Sequence, residues 1–152
     1  MQLSGILQVL VEAFVELTTE QPALVIGVLV LVVLVIKALT GPQGGGSKAR
    51  DPQRLYSNRD RRAGFDRAGG RCEGEWLPFV RCTRPANAGD HWLPHSKGGA
   101  TSAANFVALC SIHNRSKSAR IPSRFQTARL QFRRRKYMSD SSLVPAGQWF
   151  GR

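Results

Sequence analysis

Two apolar patterns at the start of the chain predict two successive helices. Between residues 3 and 17, apolar side chains recur at alternating steps of four and three, which places them on one face of a helix. That face consists of Leu3, Leu7, Leu10, Phe14 and Leu17. We therefore predict an amphipathic helix over residues 1–21, which could lie on a membrane surface or pair with a second copy as a homodimer.

Residues 22–39 (PALVIGVLVLVVLVIKAL) are apolar throughout except for Lys37. As a helix rising about 1.5 Å per residue they would measure roughly 27 Å, close to the thickness of a bilayer's hydrocarbon core. Lys37 can extend its amine to the lipid headgroups. The alternative is a buried core element, but little chain remains to cover it. A cleaved signal peptide is disfavoured because no basic segment precedes the apolar run. We predict a transmembrane helix.

The charge is divided unevenly between the two parts of the chain. The formal net charge is +12, yet residues 1–47 contain one lysine and three glutamates, so they are net negative and all the positive excess lies downstream. Because basic segments stay on the cytoplasmic side, we predict a single-pass protein of the cytoplasmic membrane with its C-terminal part in the cytoplasm. So basic a region indicates a polyanionic partner, either nucleic acid or anionic lipid.

A Gly-rich stretch, TGPQGGGSKAR, follows the apolar run and is typical of a flexible linker, which we place at residues 40–56. Ser57 then offers an N-cap with Asp60 three positions later, and Gly69-Gly70 would end the helix that begins there. Phe65 would face inward from this helix.

The next pattern predicts a hairpin packed on a helix. Residues 88–93 and 105–109 read as short strands, the Gly/Ser-rich residues 94–104 as a loop, and residues 110–119 as a short helix before Pro122. This order predicts an α+β fold for a domain at residues 57–120.

Three cysteines cannot all form disulfides with one another, so Cys72, Cys82 and Cys110 do not suggest a secreted disulfide framework. His113 follows Cys110 by three positions, and together the four residues supply the ligands of a closed structural zinc site. The nine residues between Cys72 and Cys82 exceed the usual knuckle spacing and predict a looped-out excursion. The alternative is buried free cysteines.

Several spaced residues in this region resemble the HNH endonuclease family, whose fold is the ββα-metal (His-Me) finger. They are Asp90-His91, Gly98-Gly99, Asn105, Leu109-Cys110 and His113-Asn114 with Lys117. The similarity covers roughly residues 71–117, less than a third of the chain.

The resemblance implies a role for each matching position. His91 would be the general base that activates water, Asp90 a ligand of a catalytic divalent cation such as Mg²⁺, and Asn105 a brace that orients the loop. Asn114 would stand at the third motif position as a second ligand of that cation. Cys72, Cys82, Cys110 and His113 match the structural zinc ligands of many family members; without zinc, His113 could itself be the third catalytic residue.

The C-terminal part, residues 121–152, begins with a predicted helix in which basic residues are interleaved with aromatic ones, SRFQTARLQFRRRKYM. Such a surface suits sequence-independent contact with a phosphate backbone, and anionic lipid is the alternative. Candidate nucleic-acid contacts are Lys97, Lys117, Arg133, Arg134 and Arg135. His95 is expected to brace the loop.

The sequence thus predicts a membrane-anchored, metal-dependent HNH endonuclease that hydrolyses DNA phosphodiester bonds. The alternatives are a non-catalytic, zinc-stapled module that tethers nucleic acid to the membrane and an effector toxin delivered elsewhere.

Overall fold

A computed structural model describes residues 3–41 and 49–151. The chain divides into two compact units, Met1–Thr40 and Gly41–Arg152. Each unit is described by itself. Most of the predicted Gly-rich linker, residues 42–48, lies outside the described residues.

The first unit consists of two helices, α1 (Leu3–Glu20) and α2 (Pro22–Thr40). Gln21 separates them, and Pro22 occupies the first position of α2, where a missing N–H costs nothing. None of the described side chains of α2 is buried within the unit. With nineteen residues and its apolar composition, α2 is long and apolar enough to cross a membrane, as the sequence predicted.

The second unit is an α+β domain, which confirms the predicted class. Its helices are α3 (Asn58–Arg67), α4 (Ser111–Lys117) and α5 (Arg124–Arg134). Its strands form two antiparallel pairs, β1 (Glu75–Leu77) with β2 (Val80–Arg81) and β3 (Ala88–His91) with β4 (Phe106–Leu109). Short 3₁₀ turns lie at His95–Lys97 and Ser141–Leu143. The predicted hairpin and the helix that follows it are therefore present.

Strand β4 forms the centre of the domain because all four of its side chains are buried. Since side chains alternate across a strand, Val107 and Leu109 enter one hydrophobic cluster while Phe106 and Ala108 enter another. The first cluster also holds all three cysteines. One strand thus joins the cysteine-rich side of the domain to the side that carries α3.

Helix α3 begins as its sequence predicts. The Ser57 hydroxyl accepts a hydrogen bond from the Asp60 backbone N–H, and the chain leaves the helix at Gly69 and Gly70, whose φ angles are 62° and 63°. Glycine adopts this left-handed conformation without steric cost. Phe65 packs against the second cluster, as expected.

Two residues of the basic helix α5, Arg133 and Arg134, were predicted to contact nucleic acid. Their burial in the structure shows that this prediction was wrong. The Arg134 side chain is 1% exposed and forms a bidentate pair with the buried Glu73 carboxylate, at 2.9 Å and 3.2 Å. Arg133 is also buried, and it pairs with Glu75 and donates to the Glu73 carbonyl. Both guanidinium groups neutralise internal carboxylates and are not presented to a phosphate backbone. Arg135 and Lys97 are exposed.

The Glu73 carboxylate is a hub of the interior. It also accepts hydrogen bonds from the Tyr137 hydroxyl at 2.8 Å and from the Ala108 backbone N–H at 2.9 Å. Arg134 in turn donates to the carbonyl of Phe106. A buried charge is tolerated only when it is paired and fully hydrogen-bonded, and this network meets that condition while tying α5 to β4.

Candidate functional site

The predicted metal ligands come together in one cluster. One ligand atom from each of Cys72, Cys82, Cys110 and His113 lies within 4.8 Å of all the others. His113 Nδ1 is 3.5 Å from Cys72 Sγ and 3.3 Å from Cys110 Sγ. All three cysteines are buried and unpaired by disulfides. Three sulfur donors and one imidazole could hold a metal ion such as zinc.

The imidazole of His113 is oriented for such a role. Its Nε2 lies 3.0 Å from the backbone carbonyl of Glu75, which can only accept, so Nε2 carries the proton and Nδ1 faces the sulfurs. A hydrogen bond from the second nitrogen is the usual way in which a metal-binding histidine is fixed. A Cβ at Gly74 would lie 2.5 Å from the His113 ring, so only glycine fits beside it.

The unusual nine-residue spacing has a structural explanation. The residues between Cys72 and Cys82 form the β1–β2 hairpin, and the Cys82 N–H closes its base on the Gly74 carbonyl at 2.9 Å. Because the hairpin closes at its base, Cys72 and Cys82 lie close together despite their separation in sequence.

The thiols differ in their local environment. Burial raises the pKa of Cys72 to about 12. Burial also opposes ionisation of Cys110, but hydrogen bonds from the His113 backbone N–H and the Cys72 thiol outweigh it and lower the pKa of Cys110 to about 7. A bound metal ion would stabilise the thiolate form further.

A second site surrounds His91, at the end of β3. His91 lines an open cavity of about 610 Å³, together with Arg54, Tyr56, Arg61, Asp90 and His95. The His91 side chain is largely buried, because the Tyr56 ring lies 4.6 Å from its own ring. A concave pocket with convergent polar groups and a buried imidazole in its wall is a candidate site for binding or chemistry.

The proton on His91 can be placed from its partners. Nε2 lies 2.9 Å from the Thr101 hydroxyl oxygen, and that hydroxyl donates its only proton to the Gln53 carbonyl. Thr101 must therefore accept from His91, so Nε2 carries the proton and Nδ1 keeps a free lone pair. Burial lowers the pKa of His91 to about 4, although the Asp90 carboxylate acts in the opposite direction. The imidazole is neutral near pH 7.

Residues 51–56, which the sequence assigned to the flexible linker, are bound to this site. The Asp51 carboxylate accepts from the Thr101 N–H at 2.8 Å, and the Asp51 carbonyl accepts from His95 Nε2 at 2.9 Å. The Thr101 hydrogen bond holds the pKa of Asp51 below its usual value. His95 thus braces the loop, as predicted, and the segment places Tyr56 over His91.

Asp90 lies beside His91, but its carboxylate is engaged. Lys117 Nζ donates to Asp90 Oδ2 at 2.9 Å, and the two side chains are 10% and 30% exposed respectively. This contact corrects the prediction that Lys117 is available to a phosphate group. Asn114 does not line the cavity among the described residues. It lies three residues before Lys117 on α4, and residues so spaced share one side of a helix.

Asn105 is fully buried and holds the loop between β3 and β4. Its amide oxygen accepts from the Leu93 N–H at 2.8 Å, and its amide nitrogen donates to the carbonyls of Leu93 and Ala100. A Cβ at Gly99 would lie 1.9 Å from the Leu93 carbonyl oxygen, so the chain packs too closely there for any other residue. This is the bracing geometry expected of Asn105.

The sequence did not indicate four residues of these sites: Glu73, Asp51, Tyr56 and Thr101. Glu73 and Arg134 are 61 positions apart, and Thr101 and Asp51 are 50 apart. No local pattern signals contacts over such distances. The adjacency of Glu73 to Cys72 was the one hint that it might enter the interior.

The fold and the two sites define an α+β domain that contains a Cys₃His cluster and a histidine-lined cavity. Comparisons of the chain with protein-family models, with curated proteins and with solved structures gave no match.

Proposed function

We propose that this protein is a metal-dependent HNH endonuclease that hydrolyses phosphodiester bonds in DNA. The observation on which the proposal rests most is His91: a neutral imidazole in the wall of an open cavity, with Nε2 held by Thr101 and Nδ1 free. The order of hairpin, bracing Asn105 and helix around it supports the same class.

In this proposal His91 acts as the general base. Nδ1 accepts a proton from a water molecule, whose oxygen attacks phosphorus as the bond to the leaving oxygen breaks. Thr101 and Gln53 hold the imidazole so that its proton-accepting nitrogen stays on the free side. Tyr56 excludes solvent from one ring face, which keeps His91 neutral.

A divalent cation such as Mg²⁺ would stabilise the charge that develops on the phosphate and leaving oxygen. Asp90 and Asn114 are the residues proposed to hold it, and Mg²⁺ often binds through one or two carboxylates together with water and phosphate oxygens. Asp90 fits this role through its cavity position and its second carboxylate oxygen. The Lys117 amine on Oδ2 would neutralise the same carboxylate, so Asp90 must release or share it.

The proposed substrate follows from charge. Arg54 and Arg61 line the His91 cavity, and Lys97 and Arg135 are exposed on the same unit. Contacts between these cationic groups and phosphates carry no information about the base sequence. We therefore expect DNA binding that is independent of sequence and weakens steeply as the salt concentration rises. With zinc at the Cys₃His cluster, the domain would have a structural metal in addition to the catalytic ion.

We further propose that α2 anchors the chain in the cytoplasmic membrane as a single span, with the nuclease domain in the cytoplasm. Its length and composition support the span, and the basic composition downstream supports the orientation. Pairing of two copies through α1 stays a prediction.

The proposed activity can be tested on supercoiled plasmid with the purified full chain in detergent. We expect nicked or linear product when Mg²⁺ or Mn²⁺ is present. We expect no product when a chelator is added in excess of the divalent cation. Absence of cleavage across several divalent cations, with DNA binding intact, would reject the nuclease assignment.

A second candidate function is a module, stabilised by a structural zinc ion, that binds nucleic acid at the membrane without cutting it. The Lys117–Asp90 ion pair favours this candidate, because it occupies the carboxylate that a catalytic cation requires. The plasmid experiment separates the two candidates directly.

A further inference from the structure

We propose that the tip of the β1–β2 hairpin, together with one side of α5, docks into the interface of an anionic bilayer. The inference builds on the proposed membrane anchor but concerns a different part of the chain. The surface, called here the tip patch, consists of Trp76, Leu77, Phe79, Val80, Phe125 and Phe132.

The tip patch is apolar and exposed. Leu77 is 65% exposed, and Trp76, Phe79 and Val80 are each about half exposed. An isolated exposed apolar residue needs no explanation, but a contiguous group on a protruding element indicates an interaction surface.

Ring contacts make the hairpin tip and α5 one continuous surface. The Phe79 ring centroid lies 6.2 Å from that of Phe125 and 6.0 Å from that of Phe132, and both pairs meet edge to face. Trp76, on the same hairpin, lies 4.7 Å from the His113 ring. The β1–β2 hairpin thus packs against the Cys₃His cluster through Trp76 and against α5 through Phe79.

Phe79 itself has a φ angle of 67°. A bulky residue in the left-handed region carries a strain that glycine would avoid. The turn nevertheless presents a half-exposed aromatic ring to solvent, where solubility alone would favour a polar residue or glycine.

Cationic groups border the tip patch. The Arg84 guanidinium lies 5.5 Å from the Trp76 ring, and Lys136 Nζ lies 5.2 Å from the Phe132 ring. Arg129 lies near Phe125, but it is paired with Glu75 and adds little free charge. Aromatic rings beside lysine and arginine match an anionic bilayer interface, where rings enter the headgroup level and cations meet lipid phosphates.

The tether favours lipid over other occupants. Ten residues lie between Thr40 and Asp51, so the covalent connection spans at most about 40 Å. A domain of this size has a radius of gyration of about 13 Å, so any of its faces can reach the bilayer that α2 would cross. Such a tether makes docking intramolecular and strengthens a weak contact. A DNA backbone would use Arg84 and Lys136 but would gain nothing from Leu77 and Val80.

The test uses the full chain reconstituted in liposomes of phosphatidylcholine with about one third phosphatidylglycerol, a fraction chosen to give an anionic surface. Part of the phosphatidylcholine carries brominated acyl chains, which quench tryptophan on contact. Subtracting the signal of Trp76→Phe from that of the wild type isolates Trp76 from Trp92 and Trp149. Extraction with alkaline carbonate separately reports whether α2 is inserted.

We expect bromolipid to quench Trp76. The double substitution Phe79→Asp with Phe132→Asp should abolish most of that quenching, and pure phosphatidylcholine should reduce it severalfold. Leu55→Asp, which places one such charge at an exposed apolar position outside the tip patch, is the control for the effect of charge alone and should leave quenching unchanged. Unchanged metal content in each variant verifies that the domain is folded.

Two results would overturn the docking proposal. One is a carbonate-resistant chain whose Trp76 is not quenched, which leaves the anchor intact. The other is quenching that survives the double substitution. If the double substitution instead abolishes DNA binding while the wild type shows no quenching, the tip patch belongs to nucleic acid. If alkaline carbonate extracts the chain from the membrane although Trp76 is quenched, the proposed membrane anchor is wrong and the docking proposal stands.

Discussion

The two sites of the second unit differ in how completely the protein closes them. The Cys₃His cluster supplies four donors within 4.8 Å, and its cysteines are buried. The His91 cavity is open, holds about 610 Å³, and is lined by the Asp90 carboxylate and by His91, whose Nδ1 keeps a free lone pair. A closed four-donor set leaves no position for a reactant, whereas an incomplete set in an open cavity does. Under the proposed function, the first site would hold a structural metal and the second would carry the chemistry.

The largest effect should come from removing a metal from the closed site. Cys110→Ser deletes a thiolate donor, and because structural zinc binding contributes on the order of 10 kcal/mol to folding, we expect the second unit to unfold. Circular dichroism and metal analysis of the wild type and variant measure the effect. A variant that folds normally, or a wild type that folds without any bound metal, would contradict the structural role.

The second-largest effect should come from breaking the buried ion pair between Arg134 and Glu73. Arg134→Met leaves the Glu73 carboxylate buried without its partner, and breaking such a pair typically costs about 3–5 kcal/mol. Arg135→Met removes the neighbouring but exposed guanidinium and should change the free energy of unfolding by less than about 0.5 kcal/mol. Urea denaturation of both variants measures the difference. Equal values for the two would mean that Arg134 is not held in the interior.

These arginines also show how far sequence reasoning reaches. The run RRRK looks like a solvated basic face, and only the fold shows that two of its arginines meet glutamates about sixty positions earlier. The hairpin, the Ser57 cap and the four-ligand cluster were predictable because alternation, capping residues and ligand type are local signals. Residues 51–56 had no periodicity and followed a Gly-rich stretch, so their binding to the loop was missed.

The third prediction concerns pH and the cavity. His91 has a pKa of about 4 when folded and about 6.5 when unfolded, so the unfolded chain binds more protons between these values. Stability should therefore fall as the pH drops from about 6.5 to 4, by up to roughly 3 kcal/mol. His91→Gln removes this contribution, and the difference between the two chains isolates it from other groups. Parallel pH profiles of unfolding would contradict the burial of His91.

A smaller effect is expected at the loop brace. Asn105→Ala leaves the backbone groups of Leu93 and Ala100 without buried partners, at a cost of about 2 kcal/mol. Asn87→Ala removes an exposed amide that bonds Ser111 and should cost less. Thermal unfolding with metal analysis measures both. If Asn105→Ala also loses the metal, the cavity and the closed cluster are not independent.

The most direct test of the account is plasmid cleavage by His91→Ala with metal content measured on the same sample. Ser139→Ala, at an exposed position that does not line the cavity, is the control. We expect His91→Ala to lose cleavage by a factor of at least about 10² while it keeps the metal of the Cys₃His cluster, since general bases contribute about 10²–10⁴ in rate. Cleavage at the rate of the wild type by a folded His91→Ala would contradict the assignment of chemistry to this cavity.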